Sequence, residues 1–303
     1  MSAPPRLFNR DLLRTRLSRA AAVYANADFL KRRAAEDAVV RLEAIMRDFP
    51  LAVDLGARNG AFGEALALSD AKSRVGHLIE ADLSGAMLAG RTGPRLVADE
   101  ERLPFAFGSL DLVVSTLALH WTNDVVGALI QIRRALKPDG LFIGSMLGGA
   151  TLTELRQSLL TAEAELTGGA GPRVSPFADA YDAAGLLQRS GFALPVADVD
   201  RVTVRYAHPL KLLADLRAMG ETSVLAERHP RQLTRQVLAR ACELYVEKFA
   251  EPDGRVPATF EILTLTGWAP DPSQQKPLKP GSAKMRLADA LGVVENPLPR
   301  EED

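Results

Sequence analysis

The chain has 303 residues, 47% of them hydrophobic and 25% charged, enough apolar material for one large domain with a substantial core. A net charge of −1 excludes global attraction to nucleic acid or anionic lipid, and a single cysteine, Cys242, excludes an internal disulfide and a cysteine metal cluster. With no secretory signal and no long apolar span, the sequence reads as soluble and intracellular.

Residues 1–48 read as helices packed into an N-terminal cap, with Val39, Leu42, Ile45 and Met46 recurring at helical spacing. Arg6, Arg10, Arg14, Arg16, Arg19, Lys31, Arg32 and Arg33 outnumber Asp11 and Asp28 there, which points to a solvated face, or else to an acidic partner or a membrane surface. From Phe49 to Gly63, FPLAVDLGARNGAFG runs an apolar strand through Asp54 into a glycine-punctuated turn and then a helix starting near Ala61. Gly56 and Gly60 permit backbone angles that cost other residues roughly 1–2 kcal/mol. A turn of this kind aims free amide N–H groups and the positive end of a helix at whatever sits above the strand. It is a nucleotide-site signature and also a plain strand-to-helix connection.

A second apolar run, Arg74–Ala81, delivers Asp82 about 20 residues beyond Gly63, where doubly wound nucleotide folds place an acid against the ribose hydroxyls. The alternative is that Asp82 or Ser84 caps the helix that follows. A third unit, Pro94–Phe105, ends its strand at Asp99. A fourth, Leu110–Ser115, has the near-continuous apolar run of a central parallel strand, and a fifth follows the turn Lys137-Pro138-Asp139-Gly140 and covers Leu141–Met146. Strands alternating with helices at this rhythm predict a doubly wound α/β sheet, with ligands beyond the carboxyl ends of the strands, where Gly56, Asp82, Asp99 and Ser115 fall.

After Gly148-Gly149 a helix is expected over Thr151–Leu166, with Thr151 and Glu154 forming a capping box. Gly168–Pro172 breaks it, as a lid over the pocket or as an ordinary surface loop. Helices over Asp179–Ser190, Leu210–Met219 and Gln232–Phe249 and strands over Val196–Tyr206 and Ala258–Trp268 complete the pattern. The expected organisation is a helical cap over 1–48, a sheet domain over 49–269 with helical insertions around 151–190 and 209–250, and a loosely ordered tail over 270–303.

The series DLGARNG, HLIEADLS, LVADEERLPF, LDLVVSTLALHW and LKPDGLFIGSML resembles the successive motifs of class I S-adenosylmethionine-dependent methyltransferases. LFNRDL near the start, GGATLTELRQSLLTAEAELTGGAGPRVSPF, VPATFEI and GWAP extend the resemblance over almost the whole chain, to the family of mitochondrial respiratory complex I assembly factor five and its alphaproteobacterial relatives. LFNRDL lies within the arginine-rich start, so a cleaved transit peptide is not expected there. The resemblance implies a seven-stranded Rossmann-like sheet with an N-terminal helical cap and a helical lid insertion. It also implies S-adenosylmethionine as cofactor, with Asp54, Gly56, Ala57 and Gly60 around its methionine part. Asp82 and Leu83 would meet the ribose, Asp99 and the Glu100 backbone the adenine, and Ser115 and Leu117 the floor near the sulfonium. One position departs from the family pattern: Arg58 stands where a glycine is usual, either pointing into solvent or narrowing the site. A nicotinamide dehydrogenase fits less well, because its G-x-G-x-x-G does not match Gly56-x-x-x-Gly60-x-x-Gly63.

For chemistry, His120 and Trp121 at the end of the fourth strand stand beside the expected reactive methyl, as catalytic groups or as a core-edge aromatic with a satisfied histidine. The resemblance implies hydroxylation of an arginine in a quinone-proximal complex I subunit. A guanidinium pairs bidentately with carboxylates, which singles out Glu221, with Asp124 and Glu154 behind it. His77, His120, His208 and His229 show no ligand-like spacing, so no metal is expected from them. Three functions follow: an arginine-modifying enzyme, a carboxyl methyltransferase of the malonyl-carrier-protein type that LPF and ALHW also resemble, and a non-catalytic assembly chaperone. The partner is then a complex I subunit rather than nucleic acid. The expected place is a bacterial cytoplasm, with peripheral contact at the inner membrane, or a mitochondrial matrix.

Overall fold

The computed structural model describes residues 6–227 and 233–275, together with 282, 285, 288, 289, 292 and 294; the expectations for the rest of the tail and for His229 lie outside the described residues. Seven strands form one sheet in the order β3-β2-β1-β4-β5-β7-β6. β1 (Phe49–Leu55), β2 (Val75–Asp82), β3 (Arg95–Val97), β4 (Leu110–Ser115) and β5 (Leu136–Leu147) run parallel, and β7 (Val256–Trp268) returns antiparallel between β5 and β6 (Ala193–Tyr206). The order reverses between β1 and β4, the place where such sheets open a crevice at their carboxyl ends. Every residue of β4 is buried, as its unbroken apolar run requires of a strand covered on both faces.

Helices cover both faces. α2 (Phe29–Glu43) and α3 (Ala61–Ala67) enclose one apolar layer with β1 and β4; α4 (Val125–Ala135) and α6 (Ala180–Arg189) enclose another. A third layer lies where α5 (Thr153–Thr167), α7 (Pro209–Ala218) and α8 (Arg235–Phe249) pack on β7. α1 (Arg10–Ala20) begins at Asn9, whose side chain accepts from Leu12 N at 2.9 Å, and buries Leu13 and Leu17 against Leu83, Met87 and Trp121. Its preceding residues pair with the segment after α7, through Asn9 N to Val224 O at 2.8 Å and Ala226 N to Leu7 O at 2.8 Å. That pairing places Glu221 and the cap on the same end of the sheet as the tip of β4.

Several expectations change. The capping box at Thr151 and Glu154 is absent: the helix starts after Leu152, which sits at φ +56°, because Thr151 Oγ1 bonds the Glu261 backbone and Glu154 Oε1 accepts from Thr259 Oγ1 at 2.5 Å. β5 starts at Leu136 rather than beyond the Lys137–Gly140 turn, since Asp139 N and Gly140 O are paired with Ala269 at the end of β7. Met46 is 87% exposed and lies past the end of α2, so it does not belong to the helical stripe. The arginines do not form one solvated face: Arg10 and Arg16 turn inward, Arg16 onto Ser223 O, and Lys31 is buried. Residues from Asp271 form a separate unit, in which Gln274 N donates to Asp271 O at 3.2 Å.

Candidate functional site

The turn after β1 is built as its glycines require. Gly56 has φ +76°, and a β-carbon there would lie 2.3 Å from Ala118 Cβ; at Gly60, φ +79°, it would lie 2.2 Å from the Arg91 guanidinium. The amides expected to be free are taken, however. Gly56 N and Ala57 N both donate to Ala81 O, at 2.7 and 2.9 Å, and Arg58 N donates to Asp82 Oδ2 at 2.9 Å. Asp82 is at the tip of β2, fully buried, and its Oδ1 accepts from Ser84 N at 2.8 Å, so it also serves the turn after its own strand.

Arg58 points inward. Its guanidinium is 1% exposed and donates to Asp82 Oδ2 at 2.7 Å, which settles the two alternatives left by the sequence in favour of a narrowed site. Burial alone lowers the Arg58 pKa, but Asp82, Tyr24, Glu100 and Glu221 outweigh it and leave the group above its usual range. Two further cations stand on the same end of the sheet. Lys31 of α2 donates to Gly56 O at 2.7 Å and Thr116 O at 2.6 Å, joining the tips of β1 and β4; burial brings it down to about 8. Arg10 of α1 reaches Asp99 Oδ1 at 2.6 Å and also Glu100. Asp99 faces an open polar cleft of about 650 Å³ on the outer side of Arg10, lined also by Phe8, Arg102 and Asn123.

Beneath these cations, polar atoms are left without partners. Asp54 is fully buried and neither of its oxygens accepts a hydrogen bond; burial pushes it up to about 6, with Lys31 opposing. Ser115 Oγ, Thr116 Oγ1 and Asn59 Oδ1 are likewise buried and unpaired. Buried polar groups are normally satisfied, so a cluster of orphans at the tips of β1 and β4 marks where a ligand or water belongs. Leu83 packs against α1, and Ala57 and Leu117 are buried at the same end, Leu117 at φ +46°. The acceptors present fit a ribonucleoside with a cationic amino-acid arm: a carboxylate at the tip of β2, another after β3, and strand-end carbonyls beside Asp54. Most of these acceptors are engaged by the chain's own cations, Arg58, Lys31 and Arg10.

Across Tyr24 lies a second compartment. It is lined by Leu117, Leu147, Leu152, Phe177, Met219 and Phe260 and, at its polar end, by Tyr24, Lys31, His120 and Glu221; its cavity is about 30 Å³, room for about one water. Glu221 Oε2 bonds both His120 Nε2 at 3.0 Å and Trp121 Nε1 at 2.8 Å, so the three residues singled out from the sequence come together. Burial pushes Glu221 up, but His120, Arg58 and the indole N–H outweigh it and hold the carboxyl below its usual range. His120 Nδ1 is buried and unpaired. Trp121 itself is core: 2% exposed, edge-on to Phe8 with ring centroids 5.3 Å apart. The other two carboxylates proposed for a guanidinium are engaged elsewhere, Asp124 as the cap of α4 through Gly127 N at 2.7 Å and Glu154 on Thr259.

Sequence reasoning missed Arg10, Tyr24 and Lys31. All three lie in the cap, and their only local signal is a lysine among the apolar positions Leu30, Ala34 and Ala35 of α2, which buries it. Among the described residues no group of three or more His, Cys, Asp or Glu side chains is arranged to hold a metal, and no helix is long and apolar enough to cross a membrane.

Residues 53–144 match the model of a methyltransferase domain family. The chain is 39% identical to the zebrafish (Danio rerio) arginine-hydroxylase NDUFAF5, mitochondrial, over 93% of this chain and 89% of that one, and 39% identical to its human (Homo sapiens) counterpart over 97% and 85%. It is 31% identical to the malonyl-[acyl-carrier protein] O-methyltransferase of Methylovorus sp. (strain MP688), over 97% of each. Among solved structures, the YcgJ protein of Bacillus subtilis superposes with a TM-score of 0.52 at 14% identity, covering 77% of this chain and 97% of that one, a likeness of fold. Sheet order and full-length relatives agree: the chain belongs to the family of the arginine-hydroxylase NDUFAF5, enzymes on the class I S-adenosylmethionine-dependent methyltransferase fold.

Proposed function

We propose that the protein binds S-adenosylmethionine at the tips of β1, β2 and β4 and hydroxylates an arginine side chain of a respiratory complex I subunit during assembly. Family membership supports the activity class. The observation that carries the substrate is Glu221: a buried carboxylate at the polar end of an otherwise apolar compartment, fixed by His120 and Trp121. The cavity of about 30 Å³ must widen to admit an arginine, whose stem would then lie along Leu117, Leu147 and Phe177 with its guanidinium against Glu221, the planar pairing that carboxylates offer. Tyr24 and the free Nδ1 of His120 face the same compartment and would orient the group and hold a proton.

The residues that would hold the cofactor are Asp82 for the ribose, Asp99 with Glu100 for the adenine, and Gly56, Ser115 and the Asp54 carboxylate for the amino-acid arm. When bound, S-adenosylmethionine supplies a positively charged sulfonium with an electrophilic methyl group. Converting a C–H bond to C–OH is a two-electron oxidation: one oxygen atom of dioxygen enters the product and the other leaves as water, with two electrons and two protons from a donor. The chain's part is to bind, orient and exclude water.

The test is to delete the gene, complement it with wild type or Glu221→Gln, and follow complex I subunit peptides by mass spectrometry. The expected result is a gain of one oxygen on an arginine in wild type, lost in the deletion and reduced at least tenfold in Glu221→Gln. A methyl gain on a carboxylate instead supports a second reading, carboxyl methylation of a carrier protein, which the 31% relative favours. Neither change, with assembly lost in the deletion and restored by Glu221→Gln, supports a chaperone role. The natural place for such work is the membrane surface where complex I is built, at the bacterial inner membrane or in the mitochondrial matrix.

A further inference from the structure

The walls of the acceptor compartment are unequal. Every residue lining it is buried except two, Phe177 and Glu221. Glu221 is fixed by His120 and Trp121. Phe177 lies in no helix or strand; its ring packs on the apolar layer under α5 and meets His120 edge-on, with centroids 5.9 Å apart. A guest passing Phe177 therefore meets the imidazole and then the carboxylate that the imidazole holds. Phe177 also lines a second, open groove of about 550 Å³, so one side chain is the wall shared by the compartment and solvent.

That groove runs between α5 and the segment before Phe177, past Gly149, Arg156, Leu160, Arg173 and Pro176. Ala170, Gly171 and Pro172 form one bank of it, so the break after α5 is the side of a groove. Arg173 is paired with Glu163. Arg156 donates only to carbonyls, Gly149 O at 3.3 Å and Thr151 O at 3.2 Å, and among the described residues no carboxylate meets it. The approach beside Glu221 differs. Val23, Ala218 and Thr222, chain neighbours of Tyr24, Met219 and Glu221, line a groove with Arg16, Arg19 and Arg217 and with no carboxylate. Three cations there oppose an incoming guanidinium. On the Phe177 side one cation lacks a carboxylate, and a carboxylate carried by the substrate would supply it.

We propose that this groove holds the substrate polypeptide as an extended segment, its target arginine entering past Phe177 and an acidic residue close by in sequence pairing with Arg156. The inference rests on the arginine-modifying reading and adds the docking face and the chemistry of the segment. The volumes divide the work: about 550 Å³ is the size of an ordinary ligand cleft, whereas the inner cavity of about 30 Å³ is room for one water. The main chain stays in the groove and a single side chain goes in.

The experiment complements the deletion strain with full-length wild type, Leu160→Trp, Arg156→Glu, Leu210→Trp and Glu221→Gln. Leu160 is 38% exposed, so tryptophan there fills the groove from its rim; Leu210, 50% exposed, lines a separate groove beside α8 and is the control. Peptide mass spectrometry gives the modified fraction of the arginine, and the purified chains are compared by denaturation and by calorimetric binding of S-adenosylmethionine. The expected result is full modification by wild type and Leu210→Trp and a loss of at least tenfold in Leu160→Trp and Arg156→Glu, with denaturation midpoint and cofactor binding as in wild type. The modified peptide should carry Asp or Glu beside its arginine. Should Arg156→Glu fail to fold, Leu160→Trp carries the test. Full modification by the folded groove variants, with Glu221→Gln defective, overturns the docking groove and leaves the arginine reading standing. An equal loss in Leu210→Trp also overturns it, as a general effect of surface tryptophan. No arginine modified by wild type overturns both.

Discussion

The two compartments on either side of Tyr24 solve opposite problems. The nucleoside side is polar and its acids hold the chain's own arginines; the acceptor side is mostly apolar, with one carboxylate, Glu221, fixed by the His120 imidazole and the Trp121 indole. A site whose charges are already matched depends on both members of each buried pair. One walled by leucines and Phe177 is held shut by packing and opens when a guest of the right shape replaces those contacts. Breaking a contact on each side should therefore show different signatures, large and charge-dependent on the first and smaller on the second.

The largest effect belongs to Asp82→Ala. It leaves the Arg58 guanidinium, 1% exposed, without its carboxylate, and removing one partner of a buried pair costs about 3–5 kcal/mol. Chemical denaturation is expected to show a loss of that order, and Arg58→Gly in the same background should restore part of it. If the single variant is as stable as wild type, Glu100 and Glu221 neutralise Arg58 in its place.

Next is Asp54→Asn. Burial pushes the Asp54 carboxyl up to about 6, above the usual carboxylate range, with Lys31 opposing. Its folded pKa is raised, so the native state holds the proton longer, and stability from this group falls as pH rises from about 4 through 6. Asparagine lacks that loss. Between pH 4 and 7 the stability difference should move in favour of the variant by roughly 2–3 kcal/mol, measured by denaturation at each pH. A difference that stays flat, or moves the other way, would show that Lys31 neutralises Asp54 fully.

On the acceptor side, Glu221→Gln keeps an acceptor and the side-chain volume but removes the charge facing His120 and Arg58. The expected cost is about 1–2 kcal/mol of stability, with a much larger loss of arginine modification. Equal losses in both would make Glu221 a structural brace between cap and strand tip.

The same division explains what the sequence discloses. Asp54, Gly56, Asp82 and Asp99 are each tied to the end of one strand, and a strand followed by a turn is a local pattern; the parallel part of the sheet follows from such patterns, whereas the antiparallel place of β7 between β5 and β6 does not. The acceptor side is assembled from Tyr24, Lys31, Leu117, Phe177 and Glu221, which meet only because the start of the chain pairs with the segment at Val224–Ala226. No periodicity records that pairing. The fate of Arg58 was equally hidden, since whether a side chain on a turn points in or out depends on the acid opposite it, here Asp82. Thr151 and Glu154 failed as a capping box for the same kind of reason: β7 offers both of them partners outside their helix.

The smallest effect belongs to the outer anchorage of α2. Its outer side is fastened to the edge strand β6 by Arg33 to Asp200, at 2.7 Å, and Arg41 to Asp198, at 2.7 Å. Both carboxylates are close to half exposed, so each pair is worth about 0–1 kcal/mol and weakens with salt. Asp200→Asn should barely shift the denaturation midpoint. Raising the ionic strength should shrink even that small difference between variant and wild type. A loss above about 1 kcal/mol that salt leaves unchanged would show that Asp200 does more than hold a solvated ion pair.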